Sequence, residues 1–344
     1  MSSRIKRKDK QNCENLLHSR RFCAPKLSNV KSKCSKFYRR KKRTSKRLFN
    51  DIAAVKIIDC FTFFNELDLL EFRLKLLDSQ VDHFVIAESN LTHSGKAKPY
   101  YFQEAKDRFK AWKHKIIYIP VQQSAKGLLF EEQKSYNPES AAWKLENGQR
   151  NALLEAASSI DDTDMVLLSD LDEIPSAIAL KKAIRSAKPV AFSLLFHYYF
   201  LNCQNAGDSR WWKGCIAATG KQFKEITPQG LRDKRDSYPS LPGAGWHFSF
   251  LGGAEKIRQK LLAFAHTEFN KEEYVSEQHI KEAVLKGEDI LKREGVVFKY
   301  VPLSYYPAAL QKVMKQYPGF LQMKKSNPLT DLYYTVRRIT KGNY

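Results

Sequence analysis

The sequence predicts an α/β domain with a mostly parallel central sheet flanked by helices, and three observations lead there. From about Asp51, short apolar runs alternate with longer stretches of helical period, the pattern of strand, helix and strand in succession. With 344 residues, 43% of them hydrophobic and 12% aromatic, the chain can fill a substantial core, which excludes a wholly disordered or fibrous protein. The six cysteines show no paired C-x-x-C spacing of the kind that holds structural zinc, so packing must carry the fold.

The elements follow in order. Val55-Lys-Ile-Ile-Asp-Cys-Phe-Thr-Phe-Phe64 reads as a strand. Asn65 is the expected N-cap, with Asp68 at N3, and Leu67, Leu70, Leu74 and Leu77 share one face of a helix. His83-Phe-Val-Ile-Ala-Glu88 is a second strand and Lys115-Ile-Ile-Tyr-Ile-Pro120 a third. Residues 141–158 form a helix that leads into a fourth strand, Met165-Val-Leu-Leu168. Right-handed crossovers between such strands leave their carboxyl ends along one sheet edge, where ligands of these sheets bind. Past Pro189, residues 190–201 read as a buried strand, 207–245 as loops rich in Gly, Pro and charge, and 254–264 and 271–286 as helices. From Tyr305 the chain reads as a packed extension of the same domain. Cys60 is expected inside a strand, while Cys203 and Cys215 flank a loop and could pair only in an oxidising compartment.

Residues 1–50 differ. They hold 18 Lys/Arg against 2 acids, so +16 of the formal charge of +22 sits there and +6 on the other 294 residues. With few apolar residues, burial cannot offset the entropy of ordering them, and they read as a basic disordered tail ahead of one domain over 51–344. The tail suits nuclear import, nucleic acid or an acidic membrane surface, or is simply a solvated extension. No apolar stretch has the length of a signal peptide's core or of a spanning helix, so the sequence predicts a soluble protein, compatible with the cytoplasm.

Three strings carry chemistry. In Met165-Val-Leu-Leu-Ser-Asp-Leu-Asp-Glu-Ile-Pro175 an apolar strand runs into three acids and is stopped by Pro175, which suits the first turn of a helix. In extended backbone Asp170 and Asp172 point to one side and can reach one hard cation. A second D-x-D, Asp162-Thr-Asp164, precedes the strand and belongs to the opposite edge as a solvated turn. In Leu241-Pro-Gly-Ala-Gly-Trp-His-Phe-Ser-Phe-Leu-Gly-Gly253 the glycines permit close backbone approach, and His247 is either a ligand to metal or phosphate or a satisfied structural residue. In Glu88-Ser-Asn-Leu-Thr-His-Ser-Gly-Lys-Ala-Lys-Pro99 a strand ends in a polar, basic loop. Glu88 could take a ribose or base hydroxyl and Lys96 or Lys98 phosphates, against an ordinary surface loop. Asn90-Leu-Thr92 matches the N-glycosylation string, read as idle without a secretion signal.

These residues together resemble glycosyltransferase family 17. The resemblance runs through Asp59-Cys-Phe-Thr-Phe-Phe-Asn-Glu-Leu-Asp-Leu-Leu-Glu-Phe-Arg-Leu74, Val81-Asp-His-Phe-Val-Ile-Ala-Glu-Ser-Asn90 with Ser94-Gly-Lys96, Ser169-Asp-Leu-Asp-Glu-Ile-Pro175, Ala244-Gly-Trp-His-Phe-Ser-Phe-Leu-Gly-Gly253 and Ala265-His-Thr-Glu-Phe-Asn270. It covers about residues 55–270, in the same order. It implies a GT-A-like nucleotide-sugar-binding fold, UDP-GlcNAc as donor, a mannose of an N-glycan or glycoprotein as acceptor, and inversion at the anomeric carbon. It also implies Mn2+ (or Mg2+) held by Asp170 and Asp172, with Glu173 close behind at the donor and His247 as a third contact. The family's animal members are Golgi membrane-bound, whereas this chain opens with a basic hydrophilic stretch.

An inverting transfer needs a single displacement, with a base across the sugar from the cation. Glu268 and Asp236 are the candidates, with surface or capping roles as the alternative. Arg150 could contact donor phosphates, and Arg210, Trp211 and Trp212 could stack on sugar or pack in the core. Two other classes remain open: a nucleic-acid-binding protein acting through its tail, and a metal-dependent nucleotidyltransferase or nuclease using Asp170, Asp172 and Glu173.

Overall fold

The computed structural model describes residues 55–322 and Val336. The chain divides between Ala54 and Val55, and the unit beginning at Val55 is an α/β domain on a ten-stranded sheet. The predicted basic tail lies outside the described residues.

The first four strands are the predicted ones: β1 (Ile57–Phe63), β2 (His83–Ser89), β3 (Ile116–Val121) and β4 (Met165–Asp170). They lie in the order β3-β2-β1-β4, all parallel. Their side chains alternate between faces, as a pleated backbone requires. Phe61, Phe63, Phe84, Ile86 and Leu167 pack against the Leu67–Leu77 helix. Ile58, Cys60, Val85, Ala87, Val166 and Leu168 face Leu153, Phe223 and Leu231 on the other side.

Past β4 the chain adds β5 (Glu173–Pro175), β6 (Val190–Tyr198), β7 (Cys203–Asn205), β8 (Trp211–Thr219), β9 (Ser240–Ser249) and β10 (Phe298–Tyr300). β8 pairs antiparallel with β4, and β6 with β8. β7 pairs antiparallel with β6 and β10 with β7. β9 runs parallel to β6 and antiparallel to β5. The mostly parallel sheet expected from the sequence therefore holds over residues 57–170 and becomes mixed beyond. The reason is connection length: a few residues join β6 to β7 and β7 to β8, and so short a link can only return a strand antiparallel.

Several local expectations are corrected. The Leu67–Leu77 helix is entered through Glu66 without a side-chain cap, so Asn65 is not its N-cap. Residues 207–245 are not loops but β8, the Gly220–Ile226 and Pro228–Asp233 helices and the start of β9. Their glycines and prolines mark close approach and a helix start: Gly214 leaves room for the Glu173 carboxyl, and Pro228 stands in the first turn of its helix. Pro175 lies in β5, and Ser176 caps the Ala177–Ala183 helix instead. The stretch 141–158 is an α-helix only over Ala141–Asn151, continuing as a 3-10 turn over Ala152–Ser159. Asp164 does stand ahead of β4, yet it is buried rather than solvated, accepting the Lys56 and Asp161 N–H groups. The extension from Tyr305 packs as predicted, with Leu310, Val313 and Met314 of the Ala308–Met314 helix in the core.

Candidate active site

The carboxyl ends of β1, β2 and β4 open on a cavity of about 890 Å³, whose wall includes Thr62, Asp170, Asp172, Arg232, His247 and Lys260. That volume suits a nucleotide-sized ligand. Its geometry begins below the wall, at a buried pair. Arg73 and Asp59 are both fully buried and meet at 2.7 and 2.9 Å. The rest of the guanidinium holds the turn after β4, donating to the carbonyls of Asp170, Leu171 and Glu173 at 2.9–3.1 Å and to Ser169 Oγ at 2.7 Å. One side chain thus fixes the backbone of the whole acidic string. Sequence reading gave Arg73 no role, although an arginine on the leucine face of a helix and an aspartate inside an apolar strand are the signal of such a pair.

Asp170 ends β4, so the period-2 alternation stops with it and Asp172 turns elsewhere. The Asp170 carboxylate meets Arg150 at 3.1 Å and Arg232 at 2.8 Å. Burial works to raise its pKa, but the two guanidinium groups more than offset this and hold it well below the ordinary range. Asp172 Oδ2 accepts from Lys260 Nζ at 2.7 Å, and Oδ1 lies 3.4 Å from His247 Nε2. Burial opposes its ionisation as well, and Lys260 and His247 prevail, leaving it well below the usual carboxylate range. The expectation that both carboxylates share one cation is corrected accordingly. Asp170 is occupied by two arginines, and Asp172 with His247 makes up the donor pair.

His247 is positioned by β9, where it stands opposite Glu173 of β5 and Phe196 of β6. Its ring is stacked between Phe196 and Trp212, at 5.3 and 4.5 Å between centroids. Its Nδ1 is buried with no hydrogen-bond partner. Glu173 is fully buried and does not line the cavity, which corrects its reading as a donor contact. It accepts from Trp212 Nε1 at 2.7 Å, from both terminal nitrogens of Arg232, and from the Asp170 N–H. The three-acid site of a two-metal nuclease is therefore not formed.

The other predicted residues separate. Arg150 lines the cavity and also holds Glu146 at 2.6 Å and Gln229 at 2.5 Å. Glu88 is fully buried and accepts from Lys98, Tyr118 and the Phe102 N–H, so it is no contact for a ribose. Burial pushes Glu88 up and Lys98 down. Lys96 is exposed and outside the cavity wall, where Lys98 stands in its place. Glu268 and Asp236 both line the cavity. Glu268 is paired with His266 Nδ1 at 2.8 Å, while Asp236 stands exposed near Lys213 at 3.3 Å. A second hollow of about 480 Å³ adjoins, sharing Trp212, Arg235 and Asp236 and adding Trp211. Asn90 spends its side-chain amide on both backbone groups of Gln123. Cys60, Cys203 and Cys215 are buried free thiols. Among the described residues no helix is long and apolar enough to cross a membrane.

Comparisons with known proteins agree with this layout. The chain is 24% identical over 258 residues to the human and rat β-1,4-mannosyl-glycoprotein 4-β-N-acetylglucosaminyltransferases, and 23% identical to that of mouse. The match covers 66% of this chain and 46% of each relative, so the chain spans about half the length of the curated relatives it matches. Among solved structures, a glycosyltransferase of Streptococcus pneumoniae is 14% identical with a TM-score of 0.30, over 54% of this chain and 45% of that one. Glucosyl-3-phosphoglycerate synthase of Mycobacterium tuberculosis, solved with Mn2+, UDP-glucose and glycerol 3-phosphate, is 13% identical with the same TM-score, over 56% and 72%. Likeness that low carries no argument for this chain. The sequence profile of the family named from the motifs, however, matches residues 24–321, far more than half of the length, and the chain belongs to glycosyltransferase family 17.

Proposed function

We propose that this protein is an inverting glycosyltransferase that moves N-acetylglucosamine from UDP-GlcNAc to a mannose hydroxyl of an N-glycan. One observation carries the reading: Asp172 Oδ1 and His247 Nε2, 3.4 Å apart, stand together in the wall of a cavity at the carboxyl ends of parallel strands. The names of the curated relatives support the donor and acceptor, and the family membership supports the reaction class.

The pair fits the Mn2+ or Mg2+ that the family implies. One carboxylate oxygen and one imidazole nitrogen at that spacing suit neighbouring positions around an ion with bonds of about 2.1 Å. Among the described residues no cluster of three His, Cys, Asp or Glu is set to hold a metal. A two-donor set is what a hard cation needs when substrate phosphates and water complete its shell. When bound, the cation supplies charge stabilisation to the leaving diphosphate.

The chain's own residues do the rest. Arg73 fixes the turn that aims Asp172, and Arg150 and Arg232 hold Asp170 beside it. Glu268, its carboxylate oriented by His266, takes the acceptor's proton. The hydroxyl oxygen bonds the anomeric carbon as the bond to diphosphate breaks, and the electron pair leaves with the nucleotide. Trp211, in the adjoining hollow, offers an exposed ring to a sugar of the acceptor.

Calorimetric titration with UDP-GlcNAc, with and without Mn2+, tests the donor. Metal-dependent binding that Asp172→Asn and His247→Ala each weaken is the expected result, and binding indifferent to metal and to both substitutions overturns it. For the base, Glu268→Gln should lower kcat by about 10²-fold or more with donor affinity unchanged. An unchanged kcat would remove Glu268 from that role.

A further inference from the structure

Lys260, on the Gly253–Ala263 helix, occupies the place that a cation would need. Its Nζ lies 2.7 Å from Asp172 Oδ2 and 3.6 Å from Glu66 Oε1, with the Phe250 ring 5.8 Å away. The side chain is three-quarters buried and Asp172 nine-tenths buried, so solvent screens the contact little. Asp172 is thus neutralised by an ammonium before any ligand arrives. An ammonium and a divalent ion cannot both sit against one buried carboxylate, because their repulsion at such range exceeds thermal energy several-fold. Glu66 offers a second partner within a short swing of the lysine, and it too lines the cavity.

We infer, resting on the reading above, that Lys260 closes Asp172 to a free divalent cation, so that the site accepts the cation only as its complex with a nucleoside diphosphate. The lysine passes from Asp172 to Glu66 when that complex enters, and the diphosphate brings the negative charge that a bare cation lacks. The ligand of the resting site is accordingly the metal–nucleotide complex, and the order of loading is built into one ion pair.

The test is titration of the full chain with MnCl2 alone and with MnCl2 plus UDP, on wild type, Lys260→Met and Glu66→Gln, each checked by thermal melting. Wild type should take Mn2+ alone weakly and Mn2+ with UDP much more tightly. Lys260→Met should take Mn2+ alone at least about tenfold more tightly than wild type, since the competing charge is gone. Glu66→Gln, which removes the second partner, should weaken binding of Mn2+ with UDP and gain nothing for Mn2+ alone. Equal affinity of wild type and Lys260→Met for Mn2+ alone overturns the inference. So does a Lys260→Met variant that gains no metal and loses UDP, because Lys260 would then be a direct phosphate ligand. If Lys260→Met does not fold, Lys260→Gln keeps a hydrogen-bond donor to Asp172 without the charge and is read the same way. Failure of wild type to bind UDP with Mn2+ would sink the donor reading, yet the comparison of the variants with Mn2+ alone would still decide the role of Lys260.

Discussion

Arg73 shows how much a single residue organises. Its five N–H groups are spent on Asp59, Ser169 and three carbonyls of the acidic turn, in a place without water to replace any of them. Arg73→Met leaves Asp59 buried and unpaired, which should cost about 3–5 kcal/mol and lower the urea midpoint accordingly. Adding Asp59→Leu removes the stranded charge and should recover part of that stability. Donor affinity should not recover with it, since the carbonyls of Asp170, Leu171 and Glu173 still lack their donor. Recovery of both together would mean that Arg73 acts through charge balance alone.

Among the elements, the short β5 and its partner β9 set the register of the site. Glu173 opposite His247 and Pro175 opposite Gly245 bring the acidic turn against the histidine strand. Gly245 has φ +152°, and a Cβ there would run into the Ile174 carbonyl and the Pro175 backbone. Gly245→Ala should therefore destabilise by more than the ~1 kcal/mol that a glycine replacement usually involves, and weaken nucleotide binding by shifting His247. A melting temperature and affinity equal to wild type would show that β9 can move aside without disturbing the site. The Ala141–Asn151 helix contributes a second device, with Glu146 and Arg150 one turn apart and both facing the cavity. It is capped by Ser140, whose side chain accepts the Trp143 N–H.

At the scale of the molecule, the cavity wall is an array of buried ion pairs, and its pH response follows from their shifts. Asp170 and Asp172 are held below their unfolded value of about 3.9, so their contribution to stability is complete above that pH and is lost only in stronger acid. His197 behaves differently. It is fully buried between the Leu195 carbonyl and Tyr306 Oη, and burial pushes its pKa down to about 3. The unfolded chain protonates this side chain near pH 6.5, so between about 6.5 and 3 the unfolded state binds the extra proton and stability falls as acid is added. The loss from this residue should reach about 1.4 kcal/mol per pH unit in that window. Urea midpoints from pH 7 to 4.5 should decline less steeply in His197→Gln than in wild type. Parallel declines would assign the acid sensitivity to other groups.

The four parallel strands, the helix between β1 and β2, and the acidic string at the end of β4 were legible because period and strand-end position are local properties of the chain. So was the family, since several motifs recur in one order. The antiparallel half was misread because Gly and Pro in residues 207–245 serve close approach and a helix start, and their neighbours lie far away in sequence. Glu88 and Glu173 have the composition of ligands, yet burial gives each of them internal partners instead. The sequence by itself determined which residues are charged, aromatic or apolar and which strands they end. Only the tertiary structure decided that Asp170 faces two arginines while Asp172 faces His247 and Lys260, because a carboxylate's role follows from the charges brought within a few ångströms of it.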